Sequence, residues 1–198
     1  MIKVGGSLCD PDLLPRLAAA AGEISHNYRV TIIPGGGPFA NLVRDWDGRL
    51  HWSGSASHWM AVAAMDQYGM LLESQGLGVA VDDAAMLFAP GDAARIFLPY
   101  RFLRATDPLP HSWSVTSDSI AAYLASFFGV RRLILLKARD APVSPCPARM
   151  AVESGMVDAC FARYLGQETE CWIVNGNDPR RLLDLQTSGT RVIPQPAT

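Results

Sequence analysis

Two glycine-rich turns, each directly behind a short apolar run, constrain the fold of this chain more than any other feature. Lys3-Val4-Gly5-Gly6-Ser7 closes the first run, and Pro34-Gly35-Gly36-Gly37-Pro38 follows the second, Val30 to Ile33. Glycine lets backbone N–H groups approach a polyphosphate closely, and a helix that starts at such a turn aims its free N–H groups and positive end at an anion. Turns at the carboxyl ends of parallel strands lie on the edge where open α/β sheets bind ligands. The lysine precedes its glycines, so this is not the G-x-x-x-x-G-K-[ST] phosphate loop. Lys3 is instead placed to neutralise phosphoryl oxygens from the strand itself.

The rest of the chain repeats the order strand, turn, helix. Strands are expected at Met1 to Val4, Tyr28 to Ile33, Gly78 to Val81, Arg95 to Leu98, Arg131 to Lys137, Cys171 to Val174 and Arg191 to Ile193. Helices are expected near Asp12 to Ser25, Phe39 to Trp46, Ser57 to Leu72, Ser117 to Phe128, Val157 to Leu165 and Pro179 to Leu185, with Asp178 as an N-cap before Pro179. Pro-rich stretches at Leu98 to Pro110 and Ala141 to Pro147 read as loops. The pattern is that of an α/β fold with a mainly parallel sheet and helices on both faces. With 198 residues and 49% hydrophobic content, one domain over residues 1–198 can bury a full core. Trp59 to Met65 is apolar nearly all round, which calls for core burial or for a homodimer interface along residues 59–72.

A net charge of −2 with no basic run argues against a nucleic-acid partner. The absence of a secretory-type start or a membrane-length apolar segment suggests a cytoplasmic protein. Cys9, Cys146, Cys160 and Cys171 are scattered and read as small buried hydrophobes, and no ligand spacing suggests a metal site. Thr116-Ser117-Asp118-Ser119 opens a helix with more polar groups than capping needs. Asp118 is therefore a candidate either to orient Lys3 and an acceptor or to help place Mg²⁺.

K-V-G-G-S at Lys3, I-P-G-G-G-P-F-A from Ile33, T-S-D-S-I-A-A-Y-L-A from Thr116 and G-T-R-V-I from Gly189 resemble the amino acid kinase family in order and spacing. The resemblance implies a three-layer αβα sandwich and an ATP- and Mg²⁺-dependent kinase of a small anionic acceptor. It assigns Lys3 and Asp118 to catalysis, and Gly5, Gly6, Ser7, Lys137 and Asp140 to the nucleotide. Gly35, Gly36, Gly37, Arg44, His58 and Ser117 fall on the acceptor side.

Within the family, the segments around His58 and Leu109 to Trp113 resemble the small kinases of methanofuran biosynthesis, implying an aminomethyl-furanylmethyl phosphate acceptor. Other acceptors, such as a carboxylate, isopentenyl phosphate or a nucleotide, stay open. His58 and His111 either touch the acceptor or bond locally. Asp140-Ala141 departs from the family's aspartate-glycine pair, and a later family lysine is missing unless Arg149 replaces it. Those departures leave a rival reading, a catalytically weak nucleotide-binding or assembly protein.

Overall fold

A computed structural model describes residues 1–194. The chain forms β1 (Ile2–Val4), α1 (Leu14–Ser25), β2 (Thr31–Pro34), α2 (Gly37–Leu50), α3 (Gly54–Ser74), β3 (Val79–Val81), β4 (Arg95–Phe97) and α4 (Tyr100–Thr106). The second half adds α5 (Ser117–Phe127), β5 (Arg132–Lys137), β6 (Cys146–Pro147), α6 (Ala148–Glu153), α7 (Phe161–Tyr164), β7 (Glu170–Asn175), α8 (Leu185–Ser188) and β8 (Gly189–Ile193). The eight strands make one sheet in the order β3-β4-β2-β1-β5-β7-β8-β6. Every pairing is parallel except β7 with β8. The α/β sandwich expected from the sequence is thus the observed fold.

Side chains alternate across a strand, so the near-continuous apolar runs of β1, β2 and β5 supply two cores. Leu133 and Leu135 face one side with Ile33, Phe97 and the buried residues of α5. Ile134 and Leu136 face the other with Ile2, Val4, Ile32 and the buried stripe Leu14 and Leu17 of α1. Helix α3 gives Val62 and Met65 to the first core and Tyr68 and Leu72 to the second. Its all-round apolar character, which suggested a homodimer, therefore has a cause within one chain. Among the described residues no helix is long and apolar enough to cross a membrane.

Several boundaries differ from expectation for identifiable reasons. Prolines 99, 108 and 110 flank rather than interrupt Tyr100–Thr106, so a helix forms inside the expected loop and buries Leu103. The expected helix at Val157 to Leu165 shrinks to Phe161–Tyr164, because Asp158 is drawn into bonds described below. Pro179–Leu182 is a tight 3₁₀ turn, and Asp178 makes no cap bond but accepts from Arg180 Nε. Cys146–Pro147, expected as loop, pairs with β8. All four cysteines are free, yet only Cys146 and Cys171 are buried.

Candidate active site

The first turn leaves β1 and the second leaves β2, and these two strands lie side by side in the sheet. Backbone meets backbone there: Gly35 N donates to Val4 O at 2.8 Å. A Cβ on Gly6 would stand 2.5 Å from Gly37 N, and one on Gly35 would stand 2.7 Å from Gly6 N. Only glycine permits this approach. Gly37, with φ +56°, then opens α2.

Strand parity assembles the charged centre. Lys3 pairs in register with Leu135, so Lys3, Leu135 and Lys137 project from the same face, the one covered by α5. Asp118, in the first turn of α5, meets both lysines. Its Oδ1 lies 2.9 Å from Lys3 Nζ, and Lys137 Nζ donates to its Oδ2 at 2.6 Å. The Lys3 contact is an ion pair that leaves Oδ1 without a well-directed hydrogen bond.

The side chains of Lys3, Asp118 and Lys137 are 5%, 7% and 13% exposed, so two cations share one anion almost out of water. That surplus sets the protonation states. Burial works to raise the Asp118 pKa, but the charges of Lys3 and Lys137 outweigh it and hold the carboxyl below its usual range. Burial and the charge of Lys3 push Lys137 down to about 8, against the pull of Asp118. A site with one uncompensated positive charge gains from an incoming anion.

The start of α5 is held from a distance. Asp158 accepts from Thr116 N at 2.9 Å, Thr116 Oγ1 at 2.8 Å, Ser119 N at 3.0 Å and Cys160 N at 3.1 Å, as well as from the Ser119 hydroxyl. Thr116 itself caps nothing with its side chain. Asp158 thereby fixes the turn from which Asp118 projects.

These groups line a cleft of about 460 Å³. Of the residues expected at the site, Lys3, Gly6, Ser7, Asp118 and Lys137 line it at the strand edge. Gly36, Gly37, Arg44, His58 and Ser117 line it as well. Gly5 and Gly35 do not; they lie beneath the surface and let the turns pack. Asp140 is also outside the lining, because its carboxylate accepts from Asn175 Nδ2 at 3.0 Å and Arg181 Nη1 at 2.6 Å. It ties the loop after β5 to the end of β7 and to the turn that follows. Arg149 does not replace a site lysine: its side chain is 75% exposed and pairs with Glu153.

His58 is buried and stacks on His111 with ring centroids 4.5 Å apart. Burial and then the neighbouring His111 push its pKa down to about 4, so it presents a neutral ring. His111 is held by Ser55 and Asp107 and does not line the cleft. At the far end, Trp113 Nε1 donates to Asp47 Oδ2 at 2.6 Å, while the Arg44 guanidinium lies 4.5 Å from the Trp113 ring centre. Neither Asp47 nor Asp158 is announced by a local motif, since their partners lie far away in sequence.

The residues present offer Mg²⁺ no dedicated site. Both Asp118 oxygens face lysines, Asp158 is filled by donors, and no cluster of three ligating side chains occurs among the described residues. A Mg²⁺ ion bound here would take its ligands from phosphate oxygens and water.

A buried centre of two lysines and one aspartate at a glycine-built strand edge suits phosphoryl groups, and the class that fold and site point to is a small-molecule phosphotransferase. Residues 1–141 match the amino acid kinase family, and the chain belongs to it. It is 33% identical over 198 residues to the [5-(aminomethyl)furan-3-yl]methyl phosphate kinase of Methanocaldococcus jannaschii, spanning 93% of this chain and 91% of that protein. Its fold is similar to that of uridylate kinase from Archaeoglobus fulgidus, with a TM-score of 0.71, 16% identity and coverage of 97% and 98% of the two chains. UMP kinase from Ureaplasma parvum is similar too, at 0.69 and 18%, with 97% of each chain covered.

Proposed function

We propose that the chain transfers the γ-phosphoryl group of ATP to the phosphate of a small phosphomonoester of the aminomethyl-furanylmethyl type, giving a diphosphate. The observation that carries this reading is the buried Lys3–Asp118–Lys137 centre, set between two glycine turns. In the transfer, an acceptor phosphate oxygen forms a bond to the γ-phosphorus as the bond to the ADP oxygen breaks. Lys3 and Lys137 hold the charge that spreads over the transferring group, and the backbone at Gly6 and Gly37 holds the flanking phosphates.

The cleft also favours an acceptor whose attacking oxygen is already an anion. A hydroxyl acceptor needs a base at the strand edge. Asp118 is committed to two lysines, and His58, with a pKa of about 4, is a weak base. A phosphate needs no such help. The 33% identity to a kinase named for a furanylmethyl phosphate supports that acceptor over a nucleotide. With Lys137 in the cleft beside Lys3, the missing later lysine gives little ground for an inactive binding protein.

The test is incubation with ATP, Mg²⁺ and [5-(aminomethyl)furan-3-yl]methyl phosphate, followed by phosphorus NMR. A new phosphoanhydride with stoichiometric ADP is expected. No transfer to this compound, with transfer to UMP or isopentenyl phosphate, overturns the acceptor assignment. A product that hydroxylamine converts to a hydroxamate identifies a carboxylate acceptor instead.

A further inference from the structure

Three carboxylates line the cleft, and two are already committed: Asp118 to Lys3 and Lys137, Asp158 to the donors at the start of α5. Asp47 is different. Its bonding comes from neutral groups, chiefly the Trp113 indole N–H and then the Ser57 hydroxyl, and these hold its carboxyl below the usual range. Among the described residues no cation forms an ion pair with it. Arg44, one turn earlier on α2, directs its guanidinium over the Trp113 ring instead. The cleft therefore keeps an ionised, fixed carboxylate at the end away from its lysines, beside an indole.

We infer that Asp47 is the specificity residue for the acceptor, taking a primary ammonium group on the substrate end opposite its phosphate. The inference rests on reading the cleft as a phosphomonoester kinase site. Gly37, Ala40, Asn41, Arg44 and Asp47 all line the cleft from one stripe of α2. From Gly37 to Asp47 the helix advances about 15 Å, and side chains lean back toward its N-terminus, shortening the span. A phosphate alone cannot bridge that distance. A phosphate and a methylammonium on opposite sides of a furan ring can, once the transferring phosphoryl group occupies the glycine edge. Val62, Met65, Trp113 and Val115 supply apolar lining between the two ends. The acceptor selected is thus a zwitterion, and an uncharged substituent in place of the ammonium leaves Asp47 without a partner.

A purely architectural role, in which Asp47 only anchors Trp113, is separable because Asp47→Asn keeps an oxygen to accept the indole N–H. Calorimetry measures binding of [5-(aminomethyl)furan-3-yl]methyl phosphate and of its amine-free methyl analogue to wild type and to Asp47→Asn. Asp47→Ser is a second variant should the first fail to fold. Wild type is expected to prefer the amine by on the order of 10- to 100-fold, the range of a charge-assisted hydrogen bond, and the variant to bind both compounds alike. A variant that keeps the preference, or a wild type that has none, overturns the inference. A preference that depends on Asp47, with no phosphoryl transfer by the wild type, upholds the ammonium site and overturns the kinase acceptor reading instead. Wild type that binds neither compound overturns both.

Discussion

Asp118→Asn tests the charged centre most directly, because the substitution keeps shape and removes one charge from between two ammonium groups. With contacts of 2.9 and 2.6 Å, each attraction lost is about 6 kcal/mol at an effective dielectric of about 20. Desolvation offsets much of that, and breaking a buried pair by removing one partner typically costs about 3–5 kcal/mol. The protein has a cheaper response. Lys137 already titrates at about 8, held up by Asp118 and less by Asp158 against burial and Lys3, so without Asp118 it gives up its proton more readily. The site then keeps a single positive charge, as in wild type, but neither lysine is pinned.

ATP affinity is accordingly expected to change little, while kcat falls on the order of 10²–10³-fold, the effect of losing one preorganised charge contact in a transition state. An ADP-release assay run from pH 6 to 10 on variant protein with a native circular dichroism spectrum measures both. A kcat within about threefold of wild type, with an unshifted pH profile, refutes the reasoning.

Lys3→Met should lower kcat by a similar order, ~10²-fold or more, while ATP binding measured by calorimetry survives on the backbone turns and Lys137. In wild type, kcat/KM for ATP should decline with unit slope above about pH 8, because the Lys137 ammonium is lost as pH rises through its depressed pKa. Removing the like charge in Lys3→Met should move that limb to higher pH, and Asp118→Asn should move it lower; a common direction for both contradicts the assigned causes. Asp158→Ala strips a remote cap of several donors and should cost about 2–4 kcal/mol, seen as a melting temperature lower by roughly 5–15 °C in a thermal scan.

The parts of this molecule that the sequence reveals are those governed by short periods. Lys3 follows from its place before the Gly5-Gly6 turn and Asp118 from an over-polar helix start, because each signal lies within a few residues of the group it positions, whereas Lys137 is marked only by the family resemblance. The boundaries that shifted are set by tertiary contacts. Asp158 gives its carboxylate to Thr116 and Ser119, which breaks the helix expected from Val157. Asp140 matched a family loop by position and Arg149 stood in for a missing family lysine, but the partners that turn them out of the cleft, Asn175, Arg181 and Glu153, do not show in a motif. The apolar run in α3 was legible as buried, while its division between two cores required the sheet to be in place.

This division has a consequence for how substrate choice is built into the fold. The phosphate end depends on main-chain contact between two turns and on a balance of three buried charges, so a change at Gly6, Gly35, Lys3 or Asp118 disturbs the sheet edge itself. Asp47 and Trp113 come from the far end of α2 and from a loop ahead of α5, and they meet through a single side-chain bond. Replacing that pair changes the cleft without touching strand pairing or charge balance. On the proposed role of Asp47, acceptor recognition can therefore be altered at low structural cost without disturbing the Lys3–Asp118–Lys137 centre. Structures with this fold at 16% and 18% identity are uridylate and UMP kinases, whereas the relative at 33% is named for a furanylmethyl phosphate. A shared fold leaves the acceptor open, so the acceptor has to be argued from the side chains of the cleft.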